Sequence, residues 1–458
     1  MTDSDVAIVV LAAGKGTRMD SDIPKVLHGV AGKPMLSHVL DAAAAIEPER
    51  KIVVIGPGME SVAAVAVGAM TVVQDPRLGT GHAVSQAQAA LDGFTGEVLV
   101  LFADSPLITS DTMRRLIHAR QGKSNPAVIA LGFRPADPAA YGRLITDGNG
   151  TLQSIVEYND ADERQRTIGL CNGGVMAIDG TILFEYLSEV GNGNAKQEYY
   201  LTDLIEIACR HGRECGVVEC PEEETFGINS RAQLAVAENL MQQRLRTAAF
   251  ASSVTMVDPD TVYLSADTTF GRDVVLEPHV FIGPGVSIGD GVRIRAFSHL
   301  EGATIAANAN IGPYARLRPG ADIGPSARIG NFVEVKAATI EARAKVNHLA
   351  YIGDARVGEG ANVGAGTITC NYDGVSKHRT DIGAGAFIGS NSSLIAPVRI
   401  GDGAIVGAGS AVSRDVPPGA LAVTRAEQSE KPGWAARFFG RKKGRSTPKG
   451  ATASTDGT

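Results

Sequence analysis

Between Val254 and Val412 an apolar residue returns about every six positions, often with glycine behind it. The series opens with Phe270-Gly271, Leu276, Ile282-Gly283, Ile288-Gly289 and Ile294. It resumes at Ile305, Ile311-Gly312, Leu317, Ile323-Gly324, Ile329-Gly330 and Val335, then runs through Ile340, Val346, Ile352-Gly353, Val357-Gly358 and Val363-Gly364. Ile382-Gly383, Ile388-Gly389, Leu394, Ile400-Gly401, Val406-Gly407 and Val412 complete it. A hexapeptide period of this length predicts a left-handed parallel β-helix. Each short strand buries one aliphatic on the axis, small residues turn the corners, three strands make a coil, and stacked coils share one core.

The region before this repeat has another texture. Val6–Leu11, Lys51–Gly56, Val98–Phe102 and Ala127–Leu131 are apolar runs of strand length, separated by helical stretches such as Met35–Ala45 and Thr80–Ala90. Alternation of that kind predicts a Rossmann-like α/β domain with a mostly parallel sheet, whose ligands bind at the carboxyl ends of the strands. Ser230–Phe250 lacks Gly and Pro, and with Ser230 as N-cap it predicts one connecting helix. The expected division is therefore an α/β domain over 1–229, a connecting helix over 230–252, a β-helix over 253–430 and a basic tail over 431–458.

Composition narrows the functional classes. A net charge of −7 disfavours a nucleic-acid binder. The polar stretch Met1 to Asp5, with no long apolar run after it, leads to the expectation of neither signal peptide nor membrane span. Five cysteines without a CxxC pair fit free thiols in a reducing cytoplasm. The tail carries Arg437, Arg441, Lys442, Lys443, Arg445 and Lys449 with almost no acids, and reads as solvated and disordered, with contact to anions or membrane as the alternative.

Leu11-Ala12-Ala13-Gly14-Lys15-Gly16-Thr17-Arg18-Met19 directly follows the first apparent strand, with Pro24-Lys25 soon after. Glycines there let backbone N–H groups approach a polyphosphate, and Arg18 and Lys25 supply cationic charge. The spacing matches neither GxxxxGK[ST] nor GxGxxG, which disfavours a P-loop ATPase and a dinucleotide fold.

This loop, continued by Pro24-Lys25-Val26-Leu27, resembles the signature of sugar-1-phosphate nucleotidyltransferases. Its joining to a hexapeptide helix resembles, from about Val6 to Arg425, the bifunctional N-acetylglucosamine-1-phosphate uridyltransferase / glucosamine-1-phosphate acetyltransferase family. The resemblance implies that Leu11, Ala12, Ala13 and Gly14 hold UTP while the sugar phosphate attacks its α-phosphate, and that Arg18 and Lys25 are catalytic through the phosphates. It also implies Mg²⁺ on Asp104 and Asn229, hard oxygen donors that suit such an ion. The family usually has Thr or Val where Ser105 stands, a departure that leaves the metal ligand intact. Gln74, Gly79 and Thr80 match the uracil-recognition segment, while His82 reads as a polar helix start. Gly142, Glu157 and Asn172 match positions that hold the sugar.

The repeat register carries an independent argument. Leu317 and Val335 are eighteen residues apart, one coil, so Arg318 and Lys336 stack on one edge about 4.8 Å apart. Like charges so close repel, and a bridging phosphate removes the conflict. An exposed basic ladder is the bland alternative. Tyr351 is expected about one coil further along, and His348 lies between Lys336 and Tyr351 in the chain. A lone histidine is often structural, but acetyl transfer to an amine needs a base of near-neutral pKa.

By resemblance His348 is that base, and Arg318, Lys336, Tyr351 and Asn362 hold glucosamine 1-phosphate. The register lengthens between Thr369 and Ile382, so Cys370–His378 must bulge as a loop. The resemblance sets Asn371 and Tyr372 at the acyl site and Ala365, Ser390, Ala408 and Arg425 against acetyl-CoA. Small residues at 365, 390 and 408 let an extended cofactor lie flat, and Arg425 could meet a CoA phosphate. A cytoplasmic homotrimer whose nucleotide sugar feeds cell-wall synthesis is also implied. Two other readings stand beside it: a single-activity nucleotidyltransferase with a structural or regulatory β-helix, and a non-catalytic exchange-factor subunit. The constellation of Arg318, Lys336, His348 and Tyr351 argues against the first, and Arg18, Lys25, Asp104 and Asn229 against the second.

Overall fold

The structure, a computed structural model, describes residues 5–138 and 141–443, the last three by backbone alone. Unbroken aliphatic runs form the centre of the first sheet, because a strand covered on both faces has no place for a polar residue. Seven strands lie in the order Cys215–Glu219, Val128–Phe133, Cys171–Asp179, Glu97–Phe102, Val6–Leu11, Arg50–Ile55 and Met70–Val73. In the strand Val6–Leu11, Val9 packs into the core on one face, and Ile8 and Val10 into the core on the other. All neighbours along this order run parallel except Cys171–Asp179, which is antiparallel to both Glu97–Phe102 and Val128–Phe133. The hairpin Arg143–Thr146 and Leu152–Val156 extends from that strand. The helix expected over Thr80–Ala90 is shorter, Thr80–Ser85, with a 3-10 turn at Ala89–Leu91.

The connecting helix runs Arg231–Ala251, capped by the Ser230 hydroxyl, which accepts from the Gln233 N–H. It clamps the two halves together. Glu238 accepts from the Ala31 N–H at 2.6 Å on one side. On the other, buried Gln242 makes paired bonds with the Leu264 backbone and buried Arg246 bonds Val262 O and Asp260. Val30, Met35, Leu107 and Ile228 of the N-terminal half form one core with Ala237 and Met241 of the helix.

The hexapeptide region folds as a three-walled parallel β-helix with walls of ten, eight and eight strands. One wall contains Arg328–Asn331, Lys345–His348, Asn362–Val363, Phe387–Ile388 and Ile405–Val406; the next along the chain contains Arg316–Leu317, Glu334–Lys336, Tyr351–Gly353, Ile368–Cys370 and Ser393–Ile395. The periodic aliphatics form one continuous core, with Phe270 alone of the series only partly buried. Coils sit close enough that a Cβ at Gly330 would lie 1.9 Å from Asn347 O, which explains a glycine behind the axial residue.

The corner between these two walls carries Phe297, Tyr314, Phe332 and Leu349, all at positive φ and about half exposed or more. Successive rings stack, Phe297 on Tyr314 at 5.0 Å and Tyr314 on Phe332 at 5.1 Å. At the C-terminal end, within the stretch expected to be a basic tail, Trp434–Lys443 forms a helix. Arg445 and Lys449 lie outside the described residues. Among the described residues, no helix is long and apolar enough to cross a membrane, and all five cysteines are free.

Candidate functional site

The Gly-rich loop leaves the strand Val6–Leu11, and its first residues are fixed from both sides by Ala12 N–H to Val54 O and Ala103 N–H to Leu11 O. Gly14 has open space where a side chain would stand, and a Cβ at Gly16 would strike the Lys25 side chain at 2.5 Å. The loop can therefore fold back over Lys25 only with glycine at 16. Arg77, which sequence reading missed, donates from Nε to Ala13 O and ties the loop to the segment after Gln74.

Beside this loop lies a cavity of about 700 Å³. Arg18, Asp104, Glu157, Asn172 and Asn229 all line it, so residues chosen from distant parts of the sequence converge. Buried Lys25 pairs with Asp104 and donates to Asn229 Oδ1 at 3.0 Å. One carboxylate and one amide oxygen thus aim at a single point held by a cation. Among the described residues no cluster of three or more His, Cys, Asp or Glu gathers. The donor pair fits a hard dication that keeps water and substrate phosphate for its remaining positions.

The Asn172 N–H donates to Gly142 O, and a Cβ at Gly142 would press on Glu157 Oε1 at 3.2 Å. Burial raises the Glu157 carboxyl above its ordinary value, opposed by Lys196 and reinforced by Asp160. Lys196 lines the same cavity. Sequence reading missed it because it sits in a Gly- and Asn-rich stretch, Gly191–Gln197, with no periodicity.

Buried Gln74 donates to Gly79 O at 2.9 Å and meets His82 Nδ1 at 3.2 Å. Leu78, Gly81 and Thr80 are in turn bonded to the Tyr199–Leu201 backbone. Gly79 has φ +111 and would strike Tyr199 O at 2.6 Å with any side chain. His82 is a helix residue that supports Gln74.

On the β-helix the counted register holds: Leu317 pairs with Val335, and the Arg318 N–H donates to Val335 O. Arg318 and Lys336 share a column. The repulsion expected between them is already offset, because Arg318 bonds Glu334 at 2.8 Å and Lys336 stands 3.9 Å from Asp354. Tyr351 belongs to the adjacent column, in register with Glu334 rather than Lys336.

Lys377, within the loop that follows Cys370, lies close enough to Lys336 that this like charge pushes its pKa down. Buried Asn371 donates to Asp354 and reaches Tyr351 Oη at 3.4 Å. Tyr372 turns the other way, 60% exposed, and donates to Gly374 O. The loop holding these residues closes on itself through the Tyr372–Lys377 bridge and Asp373, which accepts from Val375 and Ser376.

His348 does not lie on this wall. It ends the strand Lys345–His348 of the neighbouring wall, paired with Asn331, whose Oδ1 meets His348 Nδ1 at 2.8 Å. Asn362 is on that neighbouring wall too, in register with Lys345. Ala365, Ser390 and Ala408 each follow a glycine behind its axial residue, and stack at the end of that wall: Asn391 N–H donates to Ala365 O and Gly409 N–H to Ser390 O. Arg425 donates to Ala408 O and continues the column. The candidate β-helix residues therefore form two sets on adjacent walls, divided by the aromatic corner.

Comparison with known proteins adds two kinds of finding. Residues 8–167 match the MobA-like NTP transferase domain family, and residues 379–414 match the bacterial transferase hexapeptide family (six repeats). A curated protein of Rhodospirillum rubrum, bifunctional protein GlmU, is 60% identical over 94% of this chain and 97% of its own length. The protein of that name from Paramagnetospirillum magneticum is 56% identical over 96% of this chain and 97% of its own. The Xanthobacter autotrophicus one is 54% identical over 98% of this chain and 100% of its own.

Proposed function

The chain belongs to the family of bifunctional GlmU proteins, and on that premise we propose how its two halves divide the making of UDP-N-acetylglucosamine. It is a bifunctional transferase. The β-helix acetylates glucosamine 1-phosphate with acetyl-CoA, and the N-terminal half transfers a uridyl group from UTP to the resulting N-acetylglucosamine 1-phosphate, releasing pyrophosphate. The product is a precursor for cell-wall synthesis, made in the cytoplasm.

In the N-terminal half, Leu11 to Gly14 cradle UTP, with Gln74 and the Gly79-Thr80 backbone against the uracil edge. Glu157, Asn172 and Gly142 face the sugar, where a carboxylate and an amide suit hydroxyl and acetamido groups. Arg18 and Lys25 gather the phosphates, so positioning and charge neutralisation do most of the catalysis. Mg²⁺, when bound by Asp104 and Asn229, supplies neutralising charge on the phosphates. The convergence of both oxygens on the Lys25 ammonium supports this assignment.

In the β-helix, the observation that carries the assignment is the column of Arg318 and Lys336, one coil apart on the same wall, with Lys377 of the loop near Lys336. Such a cluster is complementary to a phosphate. The amine of glucosamine 1-phosphate attacks the thioester carbonyl, the bond to sulfur breaks, and His348 takes the proton that nitrogen sheds. The small column Ala365, Ser390, Ala408, ending in Arg425, would receive the extended CoA chain, with Asn371, Tyr372 and Asn362 near the acyl group.

We take the assembly to be a homotrimer. Its support is the exposed ladder Phe297, Tyr314, Phe332 and Leu349, an apolar ridge standing between the two sets of site residues. Packing of that corner against a second copy would bury the ridge and bring both sets to one shared cleft. The test is a product assay with glucosamine 1-phosphate, acetyl-CoA, UTP and Mg²⁺, each omitted in turn. Omission of acetyl-CoA should stop at glucosamine 1-phosphate, and omission of UTP or Mg²⁺ at N-acetylglucosamine 1-phosphate. Uridyl transfer to the unacetylated sugar at the same rate would defeat this order.

A further inference from the structure

Residues 431–455 hold seven basic side chains and no acid, in a chain whose net charge is −7. Ten of them form the helix Trp434–Lys443. Trp434 is 56% exposed and Phe439 61%, and Phe438 meets Phe439 edge to face at 5.4 Å. At about 100° per residue, Trp434, Phe438 and Phe439 fall within an arc of about 140°. The Lys431 ammonium stands 5.6 Å from the Trp434 ring. Neither the catalytic reading nor the aromatic ridge of the β-helix uses any of these residues.

The two properties together select a partner. Cations alone would suit any polyanion, and aromatics alone any apolar groove. Aromatic rings interleaved with Arg and Lys on one short helix suit the boundary of an anionic bilayer, where rings enter the headgroup layer and cations meet lipid phosphates. Reach permits it. Among the described residues, the last hydrogen bonds to the coils are Thr424 to Ala411 O and Arg425 to Ala408 O. The eight residues from 426 to 433 span up to about 27 Å when extended, so the helix can lie on a surface while the coils stand clear. We propose that Trp434–Lys443 docks this enzyme reversibly on anionic lipid.

The chain has one tryptophan, so tryptophan emission reports this helix alone. Full-length protein titrated with phosphatidylglycerol/phosphatidylethanolamine vesicles should show a blue shift and co-sediment, and phosphatidylcholine vesicles should produce neither. High salt should weaken the binding, since cations carry part of it. Phe439→Ser should lower co-sedimentation by about tenfold or more, with both transferase activities unchanged in vesicle-free assays. Unshifted emission with anionic vesicles, undiminished sedimentation of Phe439→Ser, or a shift with single-stranded nucleic acid but not with vesicles would each overturn the proposal.

Discussion

The cavity below the Gly-rich loop gathers side chains from Arg18 to Gln233, on strands, loops and the start of the connecting helix. The β-helix residues, from Arg318 to Arg425, lie in successive coils that repeat one geometry. In the first case, long-range folding encloses a space within one chain. In the second, register sets columns of side chains on open walls, and neither wall alone holds both the cation cluster and the imidazole. Enclosure makes a site self-sufficient, whereas a repeating wall needs something laid against it.

The sharpest way to break this contrast is His348→Ala. Loss of a general base costs about 10²–10⁴-fold in turnover, so if His348 has the proposed role acetyl transfer should fall by about a thousandfold while uridyl transfer stays at wild type. Parallel loss of both, in separate assays, would mean the two regions are not independent. Asp104→Ala is the mirror experiment. Removal of the carboxylate proposed to hold the metal should lower uridyl transfer by about 10²–10³-fold, the scale of a lost electrostatic stabiliser, with acetyl transfer intact. Full uridyl activity in that variant would dissociate Asp104 from the metal.

A smaller effect tests whether the open wall needs a second copy. Phe332→Asp places a charge in the stacked ladder without touching either set of site residues. If the ridge is buried between copies, the variant should sediment as a smaller species and lose acetyl transfer by about tenfold or more, consistent with loss of an interface anchor. Uridyl transfer should not change. A variant of altered assembly that still acetylates normally would make the β-helix site complete within one chain.

How much could be read in advance follows the same division. The six-residue period was enough to place Arg318 above Lys336, because a register can be counted. It was also enough to place His348, had the count run through the axial residues: Val346 stacks on Ile329, so His348 falls beside Asn331 and not on the wall of Lys336. The offsets by Glu334 and Asp354 were not countable, since they depend on side chains reaching across columns. In the N-terminal half periodicity found the strands, yet not that Cys171–Asp179 reverses direction. Gly142, Glu157 and Asn172 came only from resemblance, and Lys196 and Arg77 not at all, because nothing local marks residues that folding brings to a cavity from far away.

The same difference should appear in how each region answers to pH. Burial, and then Glu206, raises the Asp203 carboxyl to about 6, above its value of about 4 in an unfolded chain. Between those values the folded protein keeps a proton that the unfolded chain releases. Stability therefore falls as pH rises through that window and stays lower above it. On the β-helix loop the sign is opposite. Hydrogen bonds from the Ser376 N–H, His378 and the Val375 N–H hold the Asp373 carboxyl well below its usual range. That stabilisation is present at neutral pH and lost only as strong acid protonates the carboxylate. Asp203→Asn should thus stabilise the N-terminal unfolding transition by about 1–2 kcal/mol at pH 7.5, after allowance for solvent screening. The gain should vanish below about pH 4, where the native carboxyl is already neutral. Calorimetry at both pH values would decide it. An equal shift of the β-helix transition would show the two halves unfolding as one unit, and a gain that persisted in acid would trace the effect to packing instead of the charge.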